Sequence, residues 1–283
     1  MQSKNKYLIM LLASIIIFGS VGVLRRQIDL SSALIAFCRG IIGASFILCI
    51  IRGRIQRVGL KTFLQLVISG AFLGINWLFL FESYNFTIVP VATLFCYTSP
   101  AMIIILSAIF LNEGFTGKKF ICLALSLTGM ILISGVLDSG GIASNDVRGI
   151  LCALVSALLY SLVVIMNKSI SGVDVYTKTI TQLIFSAVAL LPYLILTGEF
   201  FSGEWSVKAV IFLIIISLIN TGIAYILYFA SLEKLKAHTV ALLSYLDPLT
   251  ALILSSLILG ESLTYTGLIG AALILVSSLM CEI

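Results

Sequence analysis

Long unbroken apolar runs, separated by brief polar interruptions, follow one another along the whole chain. Ten such runs occupy roughly residues 7–24, 31–51, 63–83, 88–111, 119–137, 149–166, 177–197, 208–231, 238–259 and 264–281. An α-helix needs about 20 apolar residues to cross the ~30 Å hydrocarbon layer of a bilayer. A membrane β-strand would instead need alternating segments of about 10 residues, and these runs are continuous and twice that length. The pattern predicts an all-α membrane protein of ten transmembrane helices with short loops. Polar punctuation supports the breaks: Arg25-Arg26-Gln27 after the first run, Asp138-Ser139-Gly140-Gly141 after the fifth, and Gly198-Glu199 after the seventh.

Composition excludes the soluble alternatives. Of 283 residues, 60% are hydrophobic and 10% charged, with a mean hydropathy of +1.20; soluble domains run nearer 45–50% and about 25%. A cytosolic enzyme, a disordered chain and a nucleic-acid binder of ordinary composition are ruled out. The net charge of +5 reports orientation before it reports an acidic partner. With the N-terminus in the cytoplasm, twelve basic residues fall inside: Lys4, Lys6, Arg52, Arg54, Arg57, Lys61, Lys118, Lys119, Lys168, Lys178, Lys234 and Lys236. Four fall outside, Arg25, Arg26, Arg148 and Lys208, with Arg39 inside a span. The expectation is a multi-pass plasma-membrane protein with both termini cytoplasmic, the Arg25-Arg26 pair being its one conflict. The first run exceeds a signal-peptide core and no small-x-small cleavage site follows, so it reads as a retained span. Six cysteines lie singly in apolar stretches with no metal-ligand spacing, as small buried hydrophobes do.

The sequence also repeats. A shift of 148 residues lays the third to fifth runs on the eighth to tenth without a gap. Gly74 then meets Gly222, Phe81 meets Phe229, Tyr97 meets Tyr245, Pro100 meets Pro248, Ser107 meets Ser255, Glu113 meets Glu261 and Thr116 meets Thr264. Earlier runs align near a shift of 142, with Ser14 on Ser156 and Phe18 on Tyr160. Five runs per copy is an odd number, so the second copy enters the membrane upside down. The expected organisation is two inverted five-helix repeats, residues 1–141 and 142–283. Such repeats are a transporter design with the binding site at their interface.

The stretches Asn76-Trp77 with Phe81-Glu82-Ser83-Tyr84, Ala92-Thr93-Leu94 with Tyr97 and Pro100, and Ser244-Tyr245-Leu246-Asp247-Pro248 followed by Leu259-Gly260-Glu261 make the chain resemble the EamA branch of the drug/metabolite transporter superfamily. The resemblance covers essentially the whole chain. It implies a basket of helices around a central cavity, with spans five and ten at the periphery, and a function among exporters of amino acids and other metabolites.

Candidate chemistry lies where polar groups sit at membrane depth. An ionisable group at a helix centre costs roughly 2.5–3.5 kcal/mol on insertion scales, which makes it a functional candidate. Arg39 in span two and Asp247 in span nine stand out, with Glu82 nearer the outer edge. Arg39 could instead snorkel to the outer headgroups, and Asp247 could serve a structural hydrogen bond. Their depths differ by about 6 Å, so a mutual pair is open, with Glu82 as the alternative partner for Arg39. Ser244, Asp247 and Thr250 form a polar arc, and Pro100 and Pro248 free the carbonyls of Cys96 and Ser244, whether to shape a site or simply to kink a helix. Asn76, Trp77, Tyr97, Asn220, Tyr225 and Tyr245 add amide and aromatic groups, and Gln182 could hold in the second half the place of Arg39 in the first. Glu113 and Glu261, at helix ends, suit hydrogen bonds from backbone donors that start the next helix. Gly70, Gly74 and Gly129 suit close helix packing.

Enzyme signatures are absent. Gly114-Phe115-Thr116-Gly117-Lys118-Lys119 lacks the Walker spacing, and His238 is the single histidine. No catalytic residue, metal or cofactor is expected, and no nucleic-acid partner. The leading expectation is a secondary transporter, an exporter of small polar or zwitterionic metabolites with amino acids foremost: Arg39 takes a carboxylate, Asp247 or Glu82 an ammonium, and aromatics form the wall. A titrating carboxylate would permit coupling to a proton, and facilitated diffusion fits equally. The alternatives are a cationic-drug exporter, in which Arg39 would hinder, and an integral-membrane enzyme or scaffold.

Overall fold

The computed structural model describes residues 2–25, 27–87, 89–114, 116–137, 147–201, 205–259 and 264–282. The Asp138–Gly141 interruption, Arg26 and Glu261 lie outside these. Among the described residues the chain is helical without strands: α1 Gln2–Gly19, α2 Val21–Arg25, α3 Ser32–Ile50, α4 Leu60–Phe86, α5 Val89–Cys96, α6 Ser99–Phe110, α7 Gly117–Ile133, α8 Val147–Ser169, α9 Val175–Thr197, α10 Val207–Ile215, α11 Ala224–Lys234, α12 Ala237–Ser244, α13 Leu246–Leu259 and α14 Tyr265–Glu282. Between α10 and α11 the chain continues as a π-helix, Ile216–Ile223.

Among the described residues, eight helical stretches are long and apolar enough to cross a membrane: Asn5–Arg25, Ser32–Ile50, Leu60–Phe86, Val91–Phe110, Val147–Ser169, Val175–Thr197, Val207–Lys234 and Ala237–Ile258. The expected fifth and tenth runs form the shorter α7, of 17 residues, and α14, whose apolar part is Tyr265–Met280. At 1.5 Å per residue each runs about 25 Å, near the lower limit for a crossing.

Local chemistry explains the boundaries. Side chains of Ser31, Asp174 and Ser206 accept the first free backbone N–H groups of α3, α9 and α10 at 3.2, 3.0 and 3.1 Å, and Gly198 ends α9 at φ 70°, where a Cβ would be strained. Two expected spans are broken near mid-length. α5 gives way to α6 at Tyr97-Thr98, and α12 to α13 at Tyr245. Pro100 and Pro248 each stand in the first turn of the resumed helix, where a missing N–H is tolerated.

Packing relies on small residues and buried polar bridges, as it must where lipid removes the usual hydrophobic drive between helices. A Cβ on Gly70 would stand 2.7 Å from the Gln182 carbonyl oxygen, and one on Gly40 2.8 Å from that of Leu183, so α4 and α3 both press their backbones onto α9. α7 and α14 meet at Gly129 and Gly270 and are tied by Ser126 donating to Ser277 at 2.8 Å. Further pairings are α1 with α11 and α8 with α4, α3 with the π-helix and α9 with α4, α1 with α13 and α8 with α5 and α6, and α6 with α12. Large apolar side chains such as Ile9, Leu196 and Leu257 point outward, while Ser69, Ser156, Ser161, Gln182 and Asn220 are fully buried.

Candidate functional site

Arg39 is carried inward by α3 and is 8% exposed. It does not snorkel. Its Nε donates to Thr221 Oγ1 at 2.9 Å, and its guanidinium carbon lies 5.3 Å from the centre of the Trp77 ring, in cation–π range. Thr221 comes from the π-helix, and its hydroxyl also reaches the Ile216 carbonyl at 3.3 Å. Among the described residues Nη1 and Nη2 have no acceptor, so one edge of a buried guanidinium remains open to a partner.

Around it stands an aromatic wall. Trp77 and Tyr225 meet at 6.3 Å between centroids, Phe18 and Tyr225 at 5.2 Å, Phe18 and Tyr228 at 5.9 Å, and Tyr225 and Phe229 at 5.4 Å. Tyr225 is near enough to both Arg39 and Asp247 to feel the charge of each. Asp247, in the first turn of α13, accepts from the Tyr97 hydroxyl at 2.8 Å. The two residues meet because each sits at a proline-associated break. The Tyr228 hydroxyl lies near those of Tyr160 and Ser244 but meets no partner at full hydrogen-bond geometry. Ser244 itself donates to the Val240 carbonyl at 2.8 Å.

The candidates therefore separate. Arg39, Trp77 and Tyr225 form one cluster, and Tyr97 and Asp247 a second, near enough for Asp247 to act on Tyr225. Arg39 and Asp247 form no direct ion pair: Thr221 and Tyr97 take the places that each would have offered the other. Glu82 is likewise not the partner of Arg39. It accepts from the Tyr193 hydroxyl at 2.5 Å and from Asn85 at 3.3 Å, and Tyr193 also faces Glu199 at 3.3 Å. The amides bridge helices. Asn76 donates to the Ser156 carbonyl and hydroxyl on α8 at 2.7 and 2.8 Å, Asn220 to the Ile17 carbonyl and to Ser20 on the first span at 2.5 and 2.9 Å, and Gln182 to Ser69 on α4 at 2.8 Å. Tyr245 is fully buried, its hydroxyl near the Ala101 backbone but without a partner at full geometry. Sequence reasoning missed Thr221, Tyr160 and Tyr228 as members. The alignment of Phe18 with Tyr160 held a signal for one of them.

Two of the cavities in the bundle are lined by neither Arg39 nor Asp247. One of about 280 Å³ lies among α4, α6 and α8 at Gln65, Phe110, Leu162, Ile165, Met166, Ser169 and Ile170; the other, of about 90 Å³, lies between the starts of α7 and α12.

The end of the bundle where α4, α7, α9 and α12 begin is fastened by charge. Glu113 accepts from the backbone N–H groups of Ala237 and His238 at 2.9 and 3.1 Å and from His238 Nδ1 at 2.7 Å. It thus caps α12, across the molecule, rather than the α7 that follows it in sequence. Burial pushes the Glu113 carboxyl up, but the His238 side chain and these backbone donors outweigh it and hold the group at about 2. Lys178, 2% exposed, pairs with Glu233 at 2.9 Å and donates to the Ile170 carbonyl at 2.7 Å. Lys168 caps the end of α11 through the carbonyls of Leu232 and Leu235. Gln56 ties the loop after α3 to Gly172 and Asp174 at 2.8 and 2.7 Å. At the opposite end Arg25, which conflicted with the orientation count, is held locally by the Ile28 carbonyl and Ser32, both at 3.1 Å.

Comparison with known proteins agrees with this architecture. The EamA-like transporter family matches residues 5–135 and again 147–281. The uncharacterized transporter YxxF of Bacillus subtilis (strain 168) is 27% identical over 265 residues, 92% of this chain and 84% of the relative. An uncharacterized transporter of Archaeoglobus fulgidus is 25% identical over 268 residues, 94% of this chain and 93% of the relative. A solved crystal structure superposes with a TM-score of 0.86 at 17% identity, covering 98% of this chain and 96% of the other, which shows a common fold. With its match to the family over both halves, the chain belongs to the EamA-like transporter family and is a multi-pass membrane transporter.

Proposed function

We propose that this transporter is a secondary exporter of small zwitterionic metabolites, with amino acids foremost, and that Arg39 and Asp247 recognise the two charged ends. The observation that carries this reading is the open edge of Arg39. A guanidinium over Trp77 on a buried residue, with Nη groups that meet no acceptor among the described residues, is placed to take an anionic partner, and a carboxylate matches its fork. Asp247 lies near enough to Tyr225 to act on it and is bonded to a neutral phenol, which leaves its charge to meet an ammonium group. If transport is coupled to a proton, Asp247 is its seat.

Two inverted five-helix halves, 1–141 and 142–283, making ten crossings with both termini in the cytoplasm, are part of the proposal. Support comes from pairings that survive exchange of the halves: α1 on α11 answers α8 on α4, and α3 on the π-helix answers α9 on α4, while α3 with α9 and α7 with α14 map onto themselves. The polar bridges follow suit, Arg39–Thr221 answering Gln182–Ser69 and Asn220–α1 answering Asn76–α8.

Proteoliposomes holding the purified chain, incubated with a metabolite mixture and read by mass spectrometry, test the reading. Zwitterions should accumulate above empty liposomes and lose most of their uptake in Arg39→Gln. Uptake confined to cations without a carboxylate, indifferent to Arg39→Gln, would establish a cationic-drug transporter instead.

A further inference from the structure

The cavity of about 90 Å³ between the first turns of α7 and α12 is several times the ~10–15 Å³ that one water needs on a comparable measure. Its walls are Thr116, Lys118, Lys119, Cys122, His238 and Leu242, and the start of α7 adds the positive end of a helix dipole, that of α12 being capped by Glu113. His238 is 8% exposed and used at one nitrogen alone. Its Nδ1 stands 2.7 Å from Glu113 Oε2 and 3.2 Å from Lys119 Nζ, whereas Nε2 has no hydrogen-bond partner among the described residues. An unbonded ring nitrogen on a residue of the cavity wall is available to a ligand.

The surrounding charges select the ligand's sign. Lys119 donates to the Gly114 carbonyl at the wall, and Lys118 is exposed at the rim. The Thr116 oxygen accepts from the Lys119 N–H at 3.4 Å, which leaves its hydroxyl proton to donate. Glu113, the carboxylate on His238, has both oxygens occupied by Ala237 and His238. Lys168 lies close enough to Glu113 to feel its charge.

We propose that this cavity binds a phosphate group, from a phospholipid headgroup or from free phosphate, with Lys118, Lys119, Thr116 and Nε2 of His238 as its donors. With Nδ1–H on Glu113 and Nε2–H on the phosphate, His238 becomes an imidazolium between two anions. The site is separate from Arg39 and Asp247 and does not depend on the substrate assignment.

The single histidine supplies the readout. The full chain in phosphatidylcholine nanodiscs, with its imidazole labelled with nitrogen-15, is titrated with inorganic phosphate at constant ionic strength. In parallel discs, phosphatidylglycerol replaces phosphatidylcholine stepwise. The Nε2 resonance should move toward the imidazolium position and saturate. Movement with phosphate identifies a soluble anion as ligand, and movement with phosphatidylglycerol alone identifies the headgroup. Lys118→Ala should weaken the response about fivefold, Lys118→Glu should abolish it, and Lys61→Ala, an exposed lysine outside the cavity, should leave it unchanged. A resonance that ignores both probes, follows sodium chloride equally well, or titrates in Lys118→Ala as in wild type overturns the proposal.

Discussion

The bridge from α3 to the π-helix and the bridge from α9 to α4 invite direct comparison. Each joins a long side chain to a short hydroxyl, Arg39 to Thr221 at 2.9 Å and Gln182 to Ser69 at 2.8 Å. Each lies beside a glycine that lets two backbones approach, Gly43 beside Thr221 and Gly70 beside Gln182. The packing duty is the same, yet one bridge is charged and the other neutral. The broken spans differ in the same way. Tyr97 donates to Asp247, whereas the shift that pairs Tyr97 with Tyr245 pairs Asp247 with Ser99. Packing is thus duplicated and charge is not. A protein that needed Arg39 and Asp247 only to join helices could have used the amide or the hydroxyl found in the other half, without the insertion cost of an ion.

The comparison breaks most sharply at the charges. Arg39→Gln gives the first half the residue of the second and should keep the fold, because an amide already serves that duty at Gln182. Uptake should collapse: losing one member of a buried charge pair costs about 2–5 kcal/mol, a loss of roughly 30-fold or more. Gln182→Leu should lower thermal stability and spare uptake. Equal loss of transport in both variants, measured as initial rates in proteoliposomes, would mean that the charge has no special role.

The broken spans give a second, smaller contrast. Tyr97→Phe removes a hydrogen bond to a carboxylate, worth about 1.5–3 kcal/mol, and uptake should fall about tenfold or more. Tyr245→Phe removes a hydroxyl with no partner at full geometry and should change the rate little. A reversed order would place the working tyrosine in the other half. For the duplicated packing the expectation is equality. Gly40→Val and Gly70→Val each drive a side chain into a carbonyl on α9, and overpacking of this kind costs about 1–3 kcal/mol. Both should lower the detergent unfolding temperature by similar amounts, while Gly22→Val, with open space around Gly22, should not.

Apolar runs mark the helical stretches in the sequence, eight of which among the described residues are long and apolar enough to cross a membrane, and the prolines mark where two of them break. Depth along a helix is legible too, and it sets Arg39 and Asp247 about 6 Å apart across the membrane. Direction around the helix axis is not. Arg39 turns to Thr221 and Asp247 to Tyr97, a choice set by how α3, α13 and the π-helix are rotated against their neighbours. The π-helix itself has no proline to announce it; its single extra residue per turn changes which face Asn220 and Thr221 present. The amides were legible as polar groups at middle depth but not as bridges, because a bridge is defined by its acceptor, and Ser156, Ile17 and Ser69 lie 80, 203 and 113 residues away. Glu113 was read correctly as an acceptor of backbone N–H groups, but proximity in sequence pointed to α7 when the donors belong to α12.

The smallest expected effect concerns that cap. The Glu113 carboxyl titrates at about 2 in the folded chain, against an ordinary 4.5, so between those values the unfolded state binds more protons than the folded one. Stability from the cap is therefore complete above about pH 4.5 and is lost as pH falls toward 2. Thermal unfolding in detergent should find a constant gap between wild type and Glu113→Gln from pH 7 to 5, narrowing below that. A gap that widens in acid would reverse the sign and remove the carboxylate as the capping species.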